Sequence, residues 1–229
     1  MCGSVPGLSK PYLQMELKRA QPYVRRDRDK IGKTLAPGFQ AIHDDCEFDS
    51  DFVDILCKVH TVSQDINSVN PPKSEVIPLR LRQSIRSVQY YVLSRENNRD
   101  MNGSKDQIFK ACRLGVLLYV GIIQNDFWVS SISKHLIWQL KSCLQTESFA
   151  TDSMCALRLW LMFVAGSLAP NQTEKLWFVC SIFQASERLS ISNWCEVKLL
   201  LETFAWAGKV QDNYGRDLWG EAMKMYGVL

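Results

Sequence analysis

Apolar residues recur along the chain at the spacing of α-helices. Between 51 and 66, six of them fall on one helical face, at positions 52, 55, 56, 59, 62 and 66. This spacing matches the 3.6-residue period of a helix and differs from the two-residue period of a strand. Similar patterns predict helices over 76–95, 104–124, 132–144, 153–168, 172–183, 193–204 and 212–225. Because no alternating strand pattern and no fixed-period repeat lies between them, we predict an all-α fold, a single domain built as an array of about eight antiparallel helices.

Several of these helices begin at residues that can cap them. The segments Ser104–Gln107 and Asn171–Glu174 have the spacing of a capping box, in which the first side chain accepts from a helix amide and the fourth reaches back. Asn193 and Glu196 have the same spacing. Asp49, Ser50 and Asp51 precede the helix over 51–66, where acidic side chains favour the positive helix end. The starts of four helices are therefore predicted from residue type alone.

The most apolar stretch is RLWLMFVAGSLAP, residues 158–170, which raises the question of a membrane span. It is free of charge from Leu159 to Asn171, thirteen residues, whereas a helix needs roughly 18 or more to cross the hydrocarbon layer. A second apolar run, at 114–125, is equally short and is also bracketed by charges. We therefore predict no membrane span, and we expect the helix over 153–168, which is apolar around most of its circumference, to lie centrally in the fold.

Charge is distributed unevenly along the chain. The net charge is +3, but residues 1–37 hold eight basic and three acidic residues, so residues 38–229 carry a net charge of −2. Residues 1–37 are also rich in Pro and Gly and lack periodicity, which predicts a basic, flexible tail or linker before an all-helical domain at 38–229. Because the domain lacks a positive electrostatic footprint, we expect no direct specific DNA binding by this chain.

The eight cysteines show no C-x-x-C pair. Most of the later ones fall on apolar helical faces, where a free cysteine behaves as a small hydrophobic residue. The first 21 residues also lack the continuous apolar segment of a secretory signal. Together these features predict a reducing compartment, the cytosol or the nucleus.

Two segments resemble ligand loops but lack required residues. DKIGKT at 29–34 ends like a phosphate-binding loop, yet Asp27 stands where its first glycine belongs. The acidic stretch 43–54 suggests a calcium loop, but Ser50 and Leu56 replace the turn glycine and the bidentate glutamate. We retain the acidic stretch only as the candidate site of an alternative function, an α-helical enzyme or small-molecule sensor.

Four residues have the types and spacing of a zinc site. His43 and Cys46 are three apart, as are Cys57 and His60, and imidazole and thiolate are common zinc ligands. A predicted helix begins between the two pairs, and His60 lies at the border of its apolar face. A structural role is therefore the preferred interpretation, and we predict no metal ligands.

The remaining candidates for chemistry are few. The chain has no H-E-x-x-H or G-x-S-x-G motif and only three histidines, at 43, 60 and 135, so imidazole acid–base chemistry has few possible sites. Arg113 and Arg158 interrupt apolar helices, and a buried guanidinium needs a carboxylate or carbonyl partner. Structural pairing is the favoured role for both, with ligand recognition left open. We predict no catalytic residue and no cofactor, and hence a protein that is not an enzyme.

An ordered set of packing motifs resembles the C-terminal regulatory domain of fungal zinc-cluster transcription factors. The segments are APGFQAI (36–42), ACRLGVLLYVGII (111–123), ALRLWLMFVAGSLA (156–169), EKLWFV (174–179), SNWCEVKLLLETFAW (192–206) and GRDLWGEAM (215–223). The resemblance implies an all-helical, non-catalytic module that senses metabolites or contacts partners and tunes transcription in the nucleus.

The chain departs from that family in one respect. The family's binuclear zinc cluster needs six cysteines with two C-x-x-C pairs, and this sequence has neither pair. The resemblance therefore implies a regulatory or interaction domain whose partners are the transcription machinery or other regulatory proteins, with a small-molecule effector as a further possibility. A plain helical scaffold with no transcriptional role is a third hypothesis.

Overall fold

The structure is a computed structural model that describes residues 35–46, 48–68, 79–94, 103–124 and 130–227. Within these residues it contains nine α-helices and one short 3-10 helix, and it contains no strand. The predicted all-α class is therefore confirmed. The phosphate-loop-like segment at 29–34 and residues 1–34 of the predicted tail lie outside the described residues, so the flexible tail stays a prediction there. The last residues assigned to the tail belong to the folded part, because Ala36 is buried and the first helix begins at Pro37.

The helices are numbered in chain order. Their bounds are α1 (Pro37–Cys46), α2 (Ser50–Ser68), α3 (Leu79–Ser94), α4 (Ser104–Gln124), α5 (Ser130–Leu144), α6 (Asp152–Gly166), α7 (Gln172–Arg188), α8 (Trp194–Glu202) and α9 (Gly208–Met225). The 3-10 helix, Glu147–Phe149, lies between α5 and α6. Each of α2 to α9 overlaps a predicted helix, although α9 begins four residues before the predicted start at 212.

Helix α1 was not predicted from periodicity. It has only ten residues, and its buried positions Phe39, Ile42 and Cys46 span barely two turns, too short a window for the helical period to stand out. Pro37 is its first residue, a position that proline favours because its missing N–H would be unpaired there anyway. The residue before it, Ala36, is buried as well.

Helix α6 lies at the centre of the fold, as its apolar sequence predicts. Every residue from Leu159 to Ala165 is fully buried. The helix packs most extensively on α7, and it also contacts α1, α4, α5, α8 and α9. A helix surrounded on all sides must be apolar all round, which is the pattern the sequence shows. None of the helices in the described ranges is both long and apolar enough to cross a membrane.

Three of the predicted helix starts have the expected side-chain acceptor at the cap, although the Glu174 carboxylate accepts from Lys141 Nζ at 3.0 Å instead of reaching back as a capping box would. The Oδ1 atom of Asp49 accepts from the backbone N–H of Phe52 at 2.9 Å. In the same way, Asn171 Oδ1 accepts from Glu174 N–H at 2.9 Å. Asn193 Oδ1 accepts from the N–H of the residue three positions later at 3.1 Å. These bonds satisfy amides that a helix leaves unpaired in its first turn.

The start of α4 is in the predicted place, but the predicted capping box is wrong. Ser104 is already the first helical residue, so its hydroxyl is not at the capping position and instead donates to Ser148 Oγ at 2.8 Å. The cap position belongs to Gly103, whose N–H donates to Asp106 Oδ2 at 3.1 Å. The reciprocal half of a capping box is thus present, shifted by one residue toward the N-terminus.

An aromatic cluster joins three distant parts of the chain beside α6. The Phe39 ring packs edge-on against Trp160 and Phe204, with centroids 5.4 and 5.1 Å apart. Trp160 and Phe204 stack with centroids 5.9 Å apart. Gly38 is needed here because a β-carbon built on it would lie 2.8 Å from the Phe204 ring. The start of α1 is therefore held against α6 and the segment that follows α8.

Candidate functional site

A polar groove opens between α2 and the connection from α8 to α9. Its volume is about 450 Å³ and its lining includes His60, Gln64, Asn67, Glu202 and Trp206, together with Ser63 and Ser68. The α2 positions 60, 63, 64 and 67 recur at i, i+3, i+4 and i+7, so one helical face presents four polar side chains. This stripe borders the apolar face of α2, which is buried in the core.

His60 is held in one tautomer by two hydrogen bonds. Its Nδ1 lies 3.1 Å from the backbone oxygen of Phe204, and a carbonyl oxygen only accepts, so Nδ1 carries the hydrogen. The Nε2 atom is then an acceptor, and the Nε2 amide of Gln64 donates to it at 2.9 Å. The imidazole therefore has no free N–H facing the groove.

Asn67 connects α2 to the chain between α8 and α9. Its Nδ2 donates to the backbone oxygen of Trp206 at 2.9 Å, which fixes the amide orientation because a carbonyl oxygen cannot donate. The Oδ1 atom is buried and has no hydrogen-bond partner among the described residues. Leaving a buried acceptor unpaired costs about 1–3 kcal/mol, so this amide is an unusual feature of the groove.

Ser63 closes the inner side of the groove. Its hydroxyl donates to the backbone oxygen of Val59 at 2.8 Å, so the neighbouring Tyr119 hydroxyl is the donor in the hydrogen bond between the two side chains. Tyr119 is fully buried, and this burial raises the pKa of its phenol. The Ser63 hydroxyl therefore has its hydrogen committed to the helix backbone.

The rim of the groove carries a carboxylate that is weakly paired. The nearest described cation, Lys198, lies 3.9 Å from Glu202 Oε1 but only 2.6 Å from Asp212 Oδ2. The hydrogen bond that the Lys198 ammonium donates to Asp212 raises the pKa of Lys198. Asp212 also accepts from the Trp206 indole N–H at 2.8 Å. Lys198 is thus committed mainly to Asp212, and Glu202 retains most of its hydrogen-bonding capacity.

The four residues of the hypothetical zinc site are not assembled as ligands. Among the described residues, no group of His, Cys, Asp or Glu is arranged to hold a metal ion. His43 stacks on Phe48 with ring centroids 6.2 Å apart. Cys46 and Cys57 are buried; burial, and then the charge of Asp45, raises the pKa of the Cys46 thiol to about 12, which disfavours the thiolate that binds metals.

The two arginines inside apolar helices differ in their surroundings. Arg113 Nε donates to the Val92 backbone oxygen at 3.2 Å, which confirms the expected carbonyl partner. Arg158 Nε is buried without a hydrogen-bond partner in the described part of the chain. Burial lowers the pKa of the Arg158 guanidinium, and the charge of Arg188 adds to this effect.

The acidic stretch and the arginines do not contribute to the groove. Neither Arg113 nor Arg158 lines it, and no residue of 43–54 lines it. Within that stretch, Asp49 acts as the helix cap described above, whereas Glu47 lies outside the described residues. The groove therefore lacks the convergence of acids and arginines that would favour the alternative function, an enzyme built on the acidic stretch.

The sequence analysis did not identify the groove. The stripe at 60, 63, 64 and 67 was a visible signal, because four polar residues at helical spacing border an apolar face. Its partners, Glu202 and Trp206, follow more than 130 residues later in the chain. Comparisons of this chain with protein-family models, with curated proteins and with solved structures found no match.

Proposed function

We propose that this chain is a non-catalytic regulatory or interaction domain that acts in transcription regulation in the nucleus. The proposal rests on the resemblance to the regulatory domain of fungal zinc-cluster transcription factors. The segments that carry this resemblance lie in α1, α4, α6, α7, α8 and α9 and the chain next to them. Each of the other five helices in this set contacts the central helix α6.

One observation carries the proposal. The P-G-F segment, the apolar segment of α6 and the T-F-A-W segment meet in the aromatic cluster of Phe39, Trp160 and Phe204. The backbone joins the same segments, since Gly38 N–H donates to Thr203 O at 2.7 Å. Motifs scattered over about 170 residues thus pack as one unit, which supports treating them as an ordered signature of one domain.

The exposed surface is compatible with partner binding. Large apolar side chains are exposed at several described positions; Leu79 is 69% exposed, Leu199 66%, Trp138 57% and Tyr214 55%. Large aromatic side chains are enriched at protein–protein interfaces. The partners in this proposal are the transcription machinery or other regulatory proteins.

A tethering experiment tests the proposal. The chain is fused to a sequence-specific DNA-binding domain from another protein, and a reporter gene carrying that domain's sites is measured in a fungal cell. We expect the fusion to raise or lower reporter output severalfold relative to the DNA-binding domain alone. A fusion carrying Gly215→Arg, which places a long side chain into a packed core position, should lose the effect, whereas Gly220→Ala should keep it.

Two outcomes would contradict the proposal. The first is a reporter output unchanged by the native fusion at a protein level equal to that of the control. The second is nanomolar, sequence-selective binding of the isolated chain to duplex DNA at physiological salt, since the proposal assigns DNA contact to another protein.

A further inference from the structure

We infer that the groove between α2 and the α8–α9 connection is a binding site for an organic ammonium group. This inference goes beyond the proposed regulatory role and does not depend on it. It rests on which hydrogen-bonding atoms of the groove are already used and which remain.

Most hydrogen-bond donors of the lining residues are already bonded to other atoms of the protein. The His60 Nδ1–H bonds to Phe204 O, and the Ser63 hydroxyl hydrogen bonds to Val59 O. The Ser68 hydroxyl donates to Asp65 O at 2.9 Å. The indole N–H of Trp206 bonds to the Asp212 carboxylate. The amides of Gln64 and Asn67 each use one hydrogen in the bonds described above.

The atoms that remain are mainly acceptors. Glu202 carries a carboxylate whose nearest described cation lies 3.9 Å away. Gln64 is exposed, and its side-chain oxygen has no bond to any described residue. Asn67 Oδ1 has no donor among the described residues, and because it is buried it acts on a cation in the adjacent groove only through its partial negative charge. No lysine or arginine lines the groove.

A primary ammonium group fits this set of atoms. It has three donors, no acceptor and a positive charge, and it can form charge-assisted hydrogen bonds to a carboxylate and a neutral oxygen, here those of Glu202 and Gln64. The groove volume of about 450 Å³ is within the range of small-molecule sites, about 300–1,000 Å³.

Nuclear magnetic resonance with matched probes tests the inference. The side-chain amide signals of Gln64 and Asn67 report on the groove directly. We expect saturable shifts of these signals with 1,4-diaminobutane and none with 1,4-butanediol, a neutral analogue of similar length. A second arm uses Nα-acetyl-lysine methylamide against Nα-acetyl-norleucine methylamide. Tighter binding of the lysine probe indicates a lysine side chain of a partner protein, and tighter binding of the diamine indicates a free amine.

Two variants separate the groove from general charge effects. Glu202→Gln keeps the shape of the side chain and removes its charge, so it should weaken binding of the better probe about 10- to 100-fold, the value of one charged hydrogen bond. The fold should persist, because Lys198 keeps its 2.6 Å bond to Asp212, and an unchanged midpoint of thermal unfolding checks this. Glu187→Gln, an exposed change on α7, should bind like the native chain.

The inference is overturned by any of three results. One is the absence of saturable shifts with either amine. Another is an equal response to the amine and its neutral analogue. The third is equal affinity of the native chain and the Glu202→Gln variant.

Discussion

The indole N–H of Trp160 donates a hydrogen bond to the backbone oxygen of Ala205 at 2.8 Å, and both residues are fully buried. The bond joins the centre of α6 to the irregular segment between α8 and α9. That segment has backbone carbonyls with no helical partner, and a buried carbonyl without a donor is costly. Trp160 thus supplies both apolar volume and a donor at one point of the core.

Replacing Trp160 with Phe should therefore lower the free energy of unfolding by about 2–4 kcal/mol. Part of the loss is the unpaired Ala205 carbonyl, and the rest is the cavity left by the smaller ring. Urea denaturation measures the change. The control is Trp138→Phe, at a position that is 57% exposed, which should alter stability by less than about 0.5 kcal/mol. Equal losses in the two variants would show that the buried bond has no special role.

Two glycines of α9 should respond oppositely to alanine. A β-carbon on Gly215 would lie 2.6 Å from Trp194 Cη2 and 2.9 Å from Trp206 Cζ2, whereas one on Gly220 meets nothing within 4 Å. Gly215→Ala should destabilise the fold by about 1–3 kcal/mol through overpacking. Gly220→Ala should stabilise it by about 0.5–1 kcal/mol, the helix-propensity gain. Chemical denaturation of both variants measures the pair, and a stabilised Gly215→Ala protein would contradict the packing described here.

The start of α8, which Asn193 caps, and the start of α4, which Ser104 does not cap, should respond differently to alanine. Asn193→Ala should lower the free energy of unfolding by about 1 kcal/mol, because it removes the acceptor for the first-turn amide of Glu196. Ser104→Ala should cost less than about 0.5 kcal/mol, because its hydroxyl bonds to Ser148 at the surface and does not cap the helix. Thermal or urea unfolding compares them. A cost for Ser104→Ala that matches Asn193→Ala would restore the capping box predicted from the sequence.

The carboxyl group of Glu196 should titrate below its ordinary value. The backbone N–H of Ser192 donates to Glu196 Oε2 at 2.8 Å, and this bond is the main cause that lowers the pKa of the carboxyl from 4.5. A group whose folded pKa is depressed stabilises the fold above its unfolded pKa, and that contribution is lost as the pH falls through the folded pKa. Carbon-detected NMR titration of the side chain measures the folded pKa.

Two variants examine the cause of that shift. Ser192→Ala removes the 3.3 Å hydroxyl contact but keeps the amide, so most of the pKa lowering should remain. Glu196→Gln should lose the acid-side part of the pH dependence of stability near and below pH 4.5. A Glu196 carboxyl that titrates at or above 4.5 would contradict the assigned hydrogen bonds.

Much of the helical architecture could be predicted because helices are local. Asp49, Asn171 and Asn193 act within three residues of their partners, so residue type and spacing were enough. The prediction was wrong at Ser104, where the cap lies one residue earlier, because several polar residues compete for one position. Helix α1 was not predicted because its ten residues span too few turns for the helical period to be recognised.

By itself, the sequence determined the all-α class, the central place of α6 and most helix positions. These features depend on apolar spacing and capping residues, which lie within or next to each helix in the sequence. Only the tertiary structure brought His60 and Asn67 of α2 against Phe204 and Trp206, and so created the groove. It also decided which hydrogen-bond donors of the groove are bonded within the protein and which acceptors remain. A hydrogen bond between residues about 140 positions apart has no local sequence pattern that could predict it. Because folding packs the apolar face of α2 into the core, the polar stripe beside that face contacts the backbone of the segment between α8 and α9.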